Sequence, residues 1–142
     1  MQDAGAEKVS DFSYLGYPST YLLEPDELSA VFRDLDGKFA NNPSKYWVVE
    51  FADGILQRET AMLLRDEYVR SRFHRLVFSA SDAFGAIGGL RILKEEFGLE
   101  ADAVSGRCSS SPLMLRELKD WTKVPVFDNQ ARDLKRLSEI LI

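Results

Sequence analysis

The sequence has one cysteine, no basic stripe and no long apolar run, and each of these absences excludes a class of protein. A single Cys108 cannot close a disulfide within the chain, and one thiol gives no metal cluster. No apolar run approaches the ~20 residues that a helix needs to cross a bilayer. The N-terminal residues also lack the basic start and apolar stretch of a secretory signal peptide. We therefore expect a cytoplasmic protein that does not associate with membranes.

The charge balance argues against nucleic acid as a partner. The chain has 18 Lys and Arg residues against 23 Asp and Glu residues, which gives a formal net charge of -5. A nucleic-acid surface needs a basic patch, and the acidic balance is not offset by one. At 142 residues the chain is long enough to bury a core, so we expect a single domain over 1–142 with a flexible segment at 1–12.

Apolar strand patterns alternate with amphipathic helix patterns along the chain. This alternation is typical of parallel βαβ units. It predicts an α/β fold with three layers, in which a mostly parallel sheet has helices on both faces, as in P-loop NTPase-like or Rossmann-like domains. Strands are predicted at 46–52, 74–80, 101–107 and 124–128, with a further short strand within 13–23, and helices at 24–42, 56–70, 83–98, 111–123 and 129–142.

Polar residues follow the predicted strands, at the edge where α/β sheets bind ligands. The carboxyl ends of parallel strands meet at one edge, and ligands bind in the crevice outside it. Loops are also polar for the simpler reason that they lie on the surface. We expect a functional cluster at this edge formed by residues that follow the strands, namely Glu50, Asp53, Ser79, Ser81, Asp82, Ser105, Arg107 and Asp128.

Two residues after the first predicted strand allow both a functional and a structural interpretation. Asp53 is either a metal or substrate ligand or the N-cap of the following helix. Arg58 is placed to hold a carboxylate or phosphate with both guanidinium branches, although a surface ion pair is the commoner outcome for such an arginine. Tyr17 belongs to a tyrosine-rich loop before the first long helix and is a further candidate for substrate contact.

A polar loop leads into the helix predicted at 111–123. Free N–H groups at a helix start favour an anion, and Ser109, Ser110 and Ser111 add hydroxyl groups there. The alternative is that Ser111 caps the helix and the other two serines face solvent. Cys108 has no histidine near it in sequence, so we do not expect a catalytic thiol. His74 is expected to be structural or exposed.

The glycines of the helix at 83–98 also have two explanations. Gly85, Gly88 and Gly89 would let a backbone approach a ligand or let the helix lie close to the sheet. Their spacing is not that of a dinucleotide-binding fingerprint. We expect them to serve packing.

Three segments in order resemble one enzyme family. VEFADG at 49–54 resembles the VEGAGG stretch of dethiobiotin synthetase, in which the glutamate closes a Walker-B-like strand. AFGAIGGLRIL at 83–93 is similar to the strand-to-helix segment LGTINHTLLT of that family. AVSGR at 103–107 and VPVFD at 124–128 resemble the strand–loop–strand pair that flanks its nucleotide base. ATP-dependent amidoligases such as cobyrinate synthase share this layout.

The resemblance implies ATP and Mg²⁺ as cofactors and gives roles to particular residues. Glu50, with Asp53, would bind Mg²⁺, which takes carboxylate oxygens and keeps several waters. Ser105, Arg107 and Asp128 would lie near the nucleotide. The implied activity is activation of a carboxylate or carbamate by phosphoryl transfer. In that family an asparagine recognises the nucleotide base. This sequence has no clear equivalent of the asparagine, so the resemblance does not imply specificity for adenine.

The chain departs from this family at the phosphate-binding loop. No stretch reads G-x-x-x-x-G-K-[ST], whose glycine N–H groups and lysine cradle the phosphates. Two explanations fit: the chain is the C-terminal part of a longer P-loop domain, or a stand-alone relative without its phosphate-binding half. The first predicts pairing with a missing N-terminal half. The second predicts a non-catalytic interaction or regulatory module that forms a homodimer or joins another subunit.

Overall fold

The computed structural model describes residues 3, 5–42, 46–128 and 134–141. They form helices and one two-stranded parallel sheet, so the protein is a mixed α/β protein. The chain divides into two compact units, Met1–Arg72 and Phe73–Ile142. The single domain expected from chain length stays a prediction. In the described part of the chain, no helix is both long and apolar enough to cross a membrane.

The first unit is built on helix α1, Pro25–Phe39. Pro25 stands at the first helical position, and Glu24 and Glu27 form a reciprocal capping box. Leu28, Val31 and Phe32 are buried at helical spacing. The helix predicted at 24–42 is therefore confirmed in shorter form.

The helix predicted at 56–70 is divided in two at Asp66. Helix α2 spans Arg58–Arg65 and helix α3 spans Glu67–Ser71. Asp66 has extended backbone angles, and its Oδ1 accepts a 3.0 Å hydrogen bond from the Val69 N–H. An aspartate that caps a new helix competes with continuation of the old one, which explains the break.

The strand predicted at 46–52 is wrong. This segment has no regular secondary structure, and Val48 is 80% exposed. Its aromatic side chains pack against α1 instead: the Phe32 ring lies 5.4 Å from the Trp47 ring and 6.2 Å from the Phe51 ring, measured between centroids. Aromatic packing on a helix therefore replaces the ladder that a strand would need.

The short strand predicted within 13–23 is also wrong. Phe12–Leu15 forms a 3-10 helix, capped at its start by Asp11, whose Oδ1 accepts a 2.8 Å hydrogen bond from the Ser13 N–H. Gly16 ends the helix with φ 88°. Capping at both ends explains why this segment forms a helical turn and not an extended strand.

The second unit contains the sheet. Strand β1, Val77–Ser79, pairs in parallel with β2, Ala103–Ser105, and helix α4, Ala83–Phe97, connects them. Helix α5, Pro112–Trp121, follows β2 and leads to an isolated parallel bridge between Val104 and Val126. The strands predicted at 74–80 and 101–107 and the helices at 83–98 and 111–123 are confirmed in shorter form.

The fourth predicted strand of the sheet forms only in part. The strand expected at 124–128 is present only as the bridge at Val126, and the described residues otherwise form two strands. Helix α6, Leu134–Leu141, covers part of the helix predicted at 129–142, and the predicted start of that helix lies outside the described residues.

The second unit buries its core between α4, α5 and the sheet. Ala83, Ala86, Val104, Leu118 and Val126 are buried together there. Gly89 lies against Phe78, since a Cβ at position 89 would stand 2.2 Å from that ring. The packing role expected for this glycine is confirmed.

Candidate functional site

The loops that follow β1 and β2 are joined by backbone hydrogen bonds at the carboxyl edge of the sheet. The Ala80 N–H donates to the Ser105 carbonyl at 3.1 Å, and the Cys108 N–H donates to the Ala80 carbonyl at 3.1 Å. Gly106 has φ 100°, and a Cβ there would stand 2.7 Å from the Ala80 oxygen. Only glycine fits this close crossing of two loops.

Three of the residues expected at this edge end adjacent parallel segments. Ser79 and Ser105 are register partners at the ends of β1 and β2. Asp128 follows Phe127, whose N–H donates to the Val104 carbonyl at 2.8 Å, and so ends the bridged segment beside β2. The topology therefore brings together Ser79, Ser105 and Asp128, as the strand order predicts.

The loop after β1 is used to start a helix. Asp82 is the N-cap of α4, and its Oδ1 accepts a 2.7 Å hydrogen bond from the Gly85 N–H. Ser81 and Asp82 are both exposed. The Asp82 carboxylate therefore has a structural partner while remaining open to solvent on its other side.

Two of the nucleotide-binding candidates differ in accessibility. Ser105 is 7% exposed, and its hydroxyl donates to the Phe127 carbonyl at 3.4 Å. Arg107 is exposed in the 3-10 helix Arg107–Ser109. The hydroxyl of Ser105 therefore faces the neighbouring strand segment, whereas the side chain of Arg107 faces solvent.

Two of the three serines proposed for anion binding have local hydrogen-bond partners. Ser109 is fully buried, and its hydroxyl donates to the Gly106 carbonyl at 2.8 Å. The Ser110 hydroxyl donates to the Arg107 carbonyl at 2.7 Å. Ser111 occupies the N-cap position of α5, but its side chain makes no capping hydrogen bond. Ser111 therefore lies at the expected N-cap position, but its side chain does not cap the helix.

Cys108 is a core residue. It is fully buried, and its Sγ lies 3.2 Å from the Ser105 carbonyl oxygen. Burial raises the pKa of the thiol, so the reactive thiolate is disfavoured. His74 is exposed just before β1.

The two carboxylates proposed for Mg²⁺ lie in the first unit, in the segment that is not a strand. Glu50 and Asp53 are both exposed, and Gln57 rather than Asp53 is the N-cap of α2. A turn follows Asp53, in which the Gln57 N–H donates to the Gly54 carbonyl at 3.0 Å. Within the described residues, no three His, Cys, Asp or Glu side chains group as metal ligands. The metal role of Glu50 and Asp53 stays a prediction.

Arg58 and Tyr17, the remaining candidates, also lie in the first unit. Arg58 donates to the Leu23 carbonyl at 3.0 Å and pairs with Glu59 at 3.1 Å and with Glu24 at 3.4 Å. Its guanidinium therefore makes ion pairs within the protein, which is the structural interpretation that the sequence allowed for Arg58. Tyr17 is half-buried, and its N–H donates to the Phe12 carbonyl at 3.3 Å.

A buried glutamate ties α2 to the loop before α1, which sequence reasoning missed. Glu59 is 3% exposed, and its Oε1 accepts hydrogen bonds from the Leu22 N–H at 2.8 Å and from Arg58 at 3.1 Å. The side-chain amide of Gln57 donates to Oε2. Burial acts to raise the pKa of Glu59, but the Leu22 and Arg58 contacts outweigh it and lower the pKa.

A second buried network joins α1 to α3. Asp36 is 6% exposed and accepts hydrogen bonds from the Tyr68 hydroxyl at 2.5 Å and from the Arg72 guanidinium at 2.9 and 3.1 Å. Arg33 lies over the Tyr68 ring at 3.9 Å. The spacing of Tyr68 and Arg72 on one helical face is a signal for such a network, but only tertiary contact identifies Asp36 as its acceptor.

A shallow pocket of about 300 Å³ lies at the opposite, amino end of the strands. The pocket is lined by residues of α4, by Leu99 and Ala101, which precede β2, and by Val124, which precedes the bridge. Lys94 and Glu100 form an exposed 2.7 Å ion pair at its rim. Because each charge already has the other as partner, the rim presents no isolated charge to a ligand.

The outer edge of β1 has no neighbouring strand among the residues that the structure describes. The Leu76 carbonyl accepts from the Asp102 N–H at 2.8 Å, and the Ala80 N–H donates to Ser105, so even-numbered residues of this segment face β2. Backbone groups alternate along a strand, so those of Val77 and Ser79 point away from β2. They have no hydrogen-bond partner among the described residues, and both side chains are exposed.

Comparison of the chain with protein-family models, curated proteins and solved structures gives no match.

Proposed function

We propose that the second unit is a non-catalytic binding module that accepts an extended polypeptide strand at the open edge of β1. The observation that carries the proposal is the pair of unsatisfied backbone positions, Val77 and Ser79, on a strand that has one partner in the described structure. An unpaired sheet edge is a template for another strand. Val77 is 41% exposed, so this edge is accessible from solvent.

Natural edge strands are commonly protected by proline, lysine, a bulge or a very short length. The three residues of β1, Val77, Phe78 and Ser79, include none of these protecting residues. The strand is short, so an added strand would make few hydrogen bonds. We therefore expect reversible binding, as suits a regulatory or assembly module.

The side chains at the carboxyl edge of the sheet support binding more than chemistry. The Cys108 thiol is buried with a raised pKa, and the hydroxyls of Ser109 and Ser110 donate to backbone carbonyls. The hydroxyl of Ser105 also donates to a carbonyl. None of these groups is arranged beside a general base in the described structure, as nucleophilic catalysis requires.

A peptide selection tests the proposal. A displayed library of extended peptides would be selected on the wild-type chain and counter-selected on Ser79→Pro. Proline removes the outward N–H but no ladder bond, and edge strands tolerate proline where the N–H faces solvent. Ser79→Thr keeps the N–H and is the matched control.

Selected peptides are expected to bind the wild type and Ser79→Thr and to slow hydrogen exchange at the Val77 and Ser79 amides. Exchange at Phe78, whose N–H faces β2, should change little. Failure to select any peptide that protects these two amides would overturn the proposal.

A nucleotide-dependent domain of the ATP-dependent carboxylate or amine ligase type is the second candidate. The parallel β1–α4–β2 unit and the adjoining loops at its carboxyl edge favour it. A three-layer, mostly parallel sheet belongs to this candidate. Calorimetry with ATP, ADP and Mg²⁺ tests it: saturable heat that weakens in Arg107→Ala, a substitution of an exposed residue at this edge, would favour the nucleotide domain over the binding module.

A further inference from the structure

We infer, on the basis of the proposed function, that the strand accepted by β1 is β1 of a second copy of this chain. The two strands would run antiparallel about a two-fold axis beside Phe78. Three features of the second unit support this pairing: the spacing of the unpaired backbone groups, the faces of the side chains and the distribution of charge along the segment.

The unpaired groups are self-complementary in spacing. Val77 and Ser79 are two residues apart, and each directs an N–H and a carbonyl to the open edge. In an antiparallel ladder, residues that exchange both hydrogen bonds also recur every second residue. Placing Val77 opposite Ser79 of the second copy therefore makes two such pairs, related by the two-fold axis, and satisfies all the outward groups. A closed dimer results, as isologous contacts require.

The side chains at this edge allow two copies to approach. Val77 and Ser79 share one face of the strand and are both exposed. Phe78 points to the other face, where it lies under Gly89 of its own α4. On the face of Val77 and Ser79, the cross-strand neighbours would be valine against serine, which are both small. On the face that α4 covers, Phe78 would lie opposite Phe78 of the second copy as an aromatic cross-strand pair.

The charges along the segment favour the antiparallel direction. His74 and Arg75 precede β1 and are exposed, whereas Asp82 follows β1 and is exposed. Arg75 lies 3.8 Å from Asp102, in a contact that leaves its side chain 46% exposed. Antiparallel pairing brings the basic end of one copy beside the acidic end of the other. Parallel pairing would place like charges together.

Sedimentation velocity over a concentration series tests the association. A few hydrogen bonds on a short edge predict a weak, transient dimer. Ser79→Pro removes one donor from each copy and so two hydrogen bonds from the dimer, which should weaken the dimer about thirtyfold. Ser79→Thr, which retains the donor, should leave the constant unchanged. Association that responds equally to both variants would contradict pairing through this edge.

Cysteine cross-linking tests the register. In the inferred dimer, Val77 lies opposite Ser79 of the second copy, with Cα atoms about 5.5 Å apart, which a disulfide can span. A mixture of Val77→Cys and Ser79→Cys chains should therefore cross-link under mild oxidation faster than either chain alone. The buried native Cys108 is present in every sample. Faster cross-linking of Val77→Cys with itself would indicate a parallel arrangement and overturn the inferred register.

The two experiments distinguish failure of this inference from failure of the proposed function. A monomeric chain that still binds selected peptides at Val77 and Ser79 would refute self-pairing while leaving the binding module intact. A monomeric chain that selects no such peptide would refute both.

Discussion

Gly89 in α4 lies so close to Phe78 in β1 that a Cβ at position 89 would stand 2.2 Å from Cζ of the ring. Helix and strand therefore touch through a position that has no side chain. The contact holds α4 against the strand whose other edge is open, and it explains why a glycine interrupts an otherwise apolar helical face.

Gly89→Ala should destabilise the second unit. The added methyl overlaps the Phe78 ring, and overpacking of this kind costs about 1–3 kcal/mol of unfolding free energy. Urea unfolding followed by circular dichroism measures the change. Gly88→Ala is the matched control because nothing lies within 4 Å of its Cβ position. That control should be neutral or stabilising by up to about 1 kcal/mol, and equal effects of the two variants would contradict the close contact.

Gly106→Ala should also destabilise the chain, for two combined reasons. Position 106 has φ 100°, and the new methyl would stand 2.7 Å from the Ala80 carbonyl oxygen. Strain at a positive φ costs about 1–3 kcal/mol. Thermal unfolding of this variant is compared with that of Gly54→Ala, a loop position with no atom within 4 Å of its Cβ. An unchanged melting temperature in Gly106→Ala would show that the two loops do not cross as described.

Tyr68 should make stability depend on pH in the alkaline range. Its hydrogen bond to Asp36, together with burial and the Asp36 charge, raises the pKa of the phenol above 10.0. A raised folded-state pKa means that the stabilisation is complete below the unfolded pKa and is lost as pH rises through the folded pKa. Denaturation midpoints measured from pH 8 to pH 11 should fall more steeply in the wild type than in Tyr68→Phe. Tyr46→Phe, at an exposed position, should behave as the wild type.

Glu59 should make stability depend on pH in the acidic range. Its pKa is lowered from 4.5 because the Leu22 N–H and Arg58 outweigh the opposing effect of burial. A lowered folded-state pKa gives stabilisation that is present above the unfolded pKa and is lost as pH falls through the folded pKa. Glu59→Gln should be less stable than the wild type at pH 7 and should show a flatter profile below pH 4.5. The exposed position Glu96 offers a control, since Glu96→Gln should keep the wild-type slope.

Local signals in the sequence predict the elements whose ends are set by their own residues. Pro25 with its neighbouring glutamates begins α1, and Gly98 ends α4 in the left-handed conformation. Val77–Ser79 and Ala103–Ser105 form strands within the predicted ranges. These elements follow from capping, periodicity and glycine geometry, which act over a few residues.

The errors fall where a segment needs a distant partner. Residues 46–52 have the composition of a buried strand, but Trp47 and Phe51 find Phe32 rather than a neighbouring strand. Asp66 could end one helix or begin another, and it does both: its backbone N–H donates to carbonyls in the last turn of α2, and its side chain caps the start of α3. The metal role expected of Glu50 and Asp53 rested on a strand that the segment does not form.

The sequence by itself determined helices α1, α4 and α5, the parallel β1–α4–β2 order and the grouping of Ser79, Ser105 and Asp128 at one sheet edge, because periodicity and handedness are local or topological properties. Only the tertiary structure decided that Glu59 and Asp36 are buried acceptors, that Ser109 and Ser110 are satisfied by carbonyls, and that the edge of β1 is open. Each of these features depends on which groups meet across the fold. The sequence pattern around a polar side chain is the same whether its hydrogen-bond partner is water or another part of the protein.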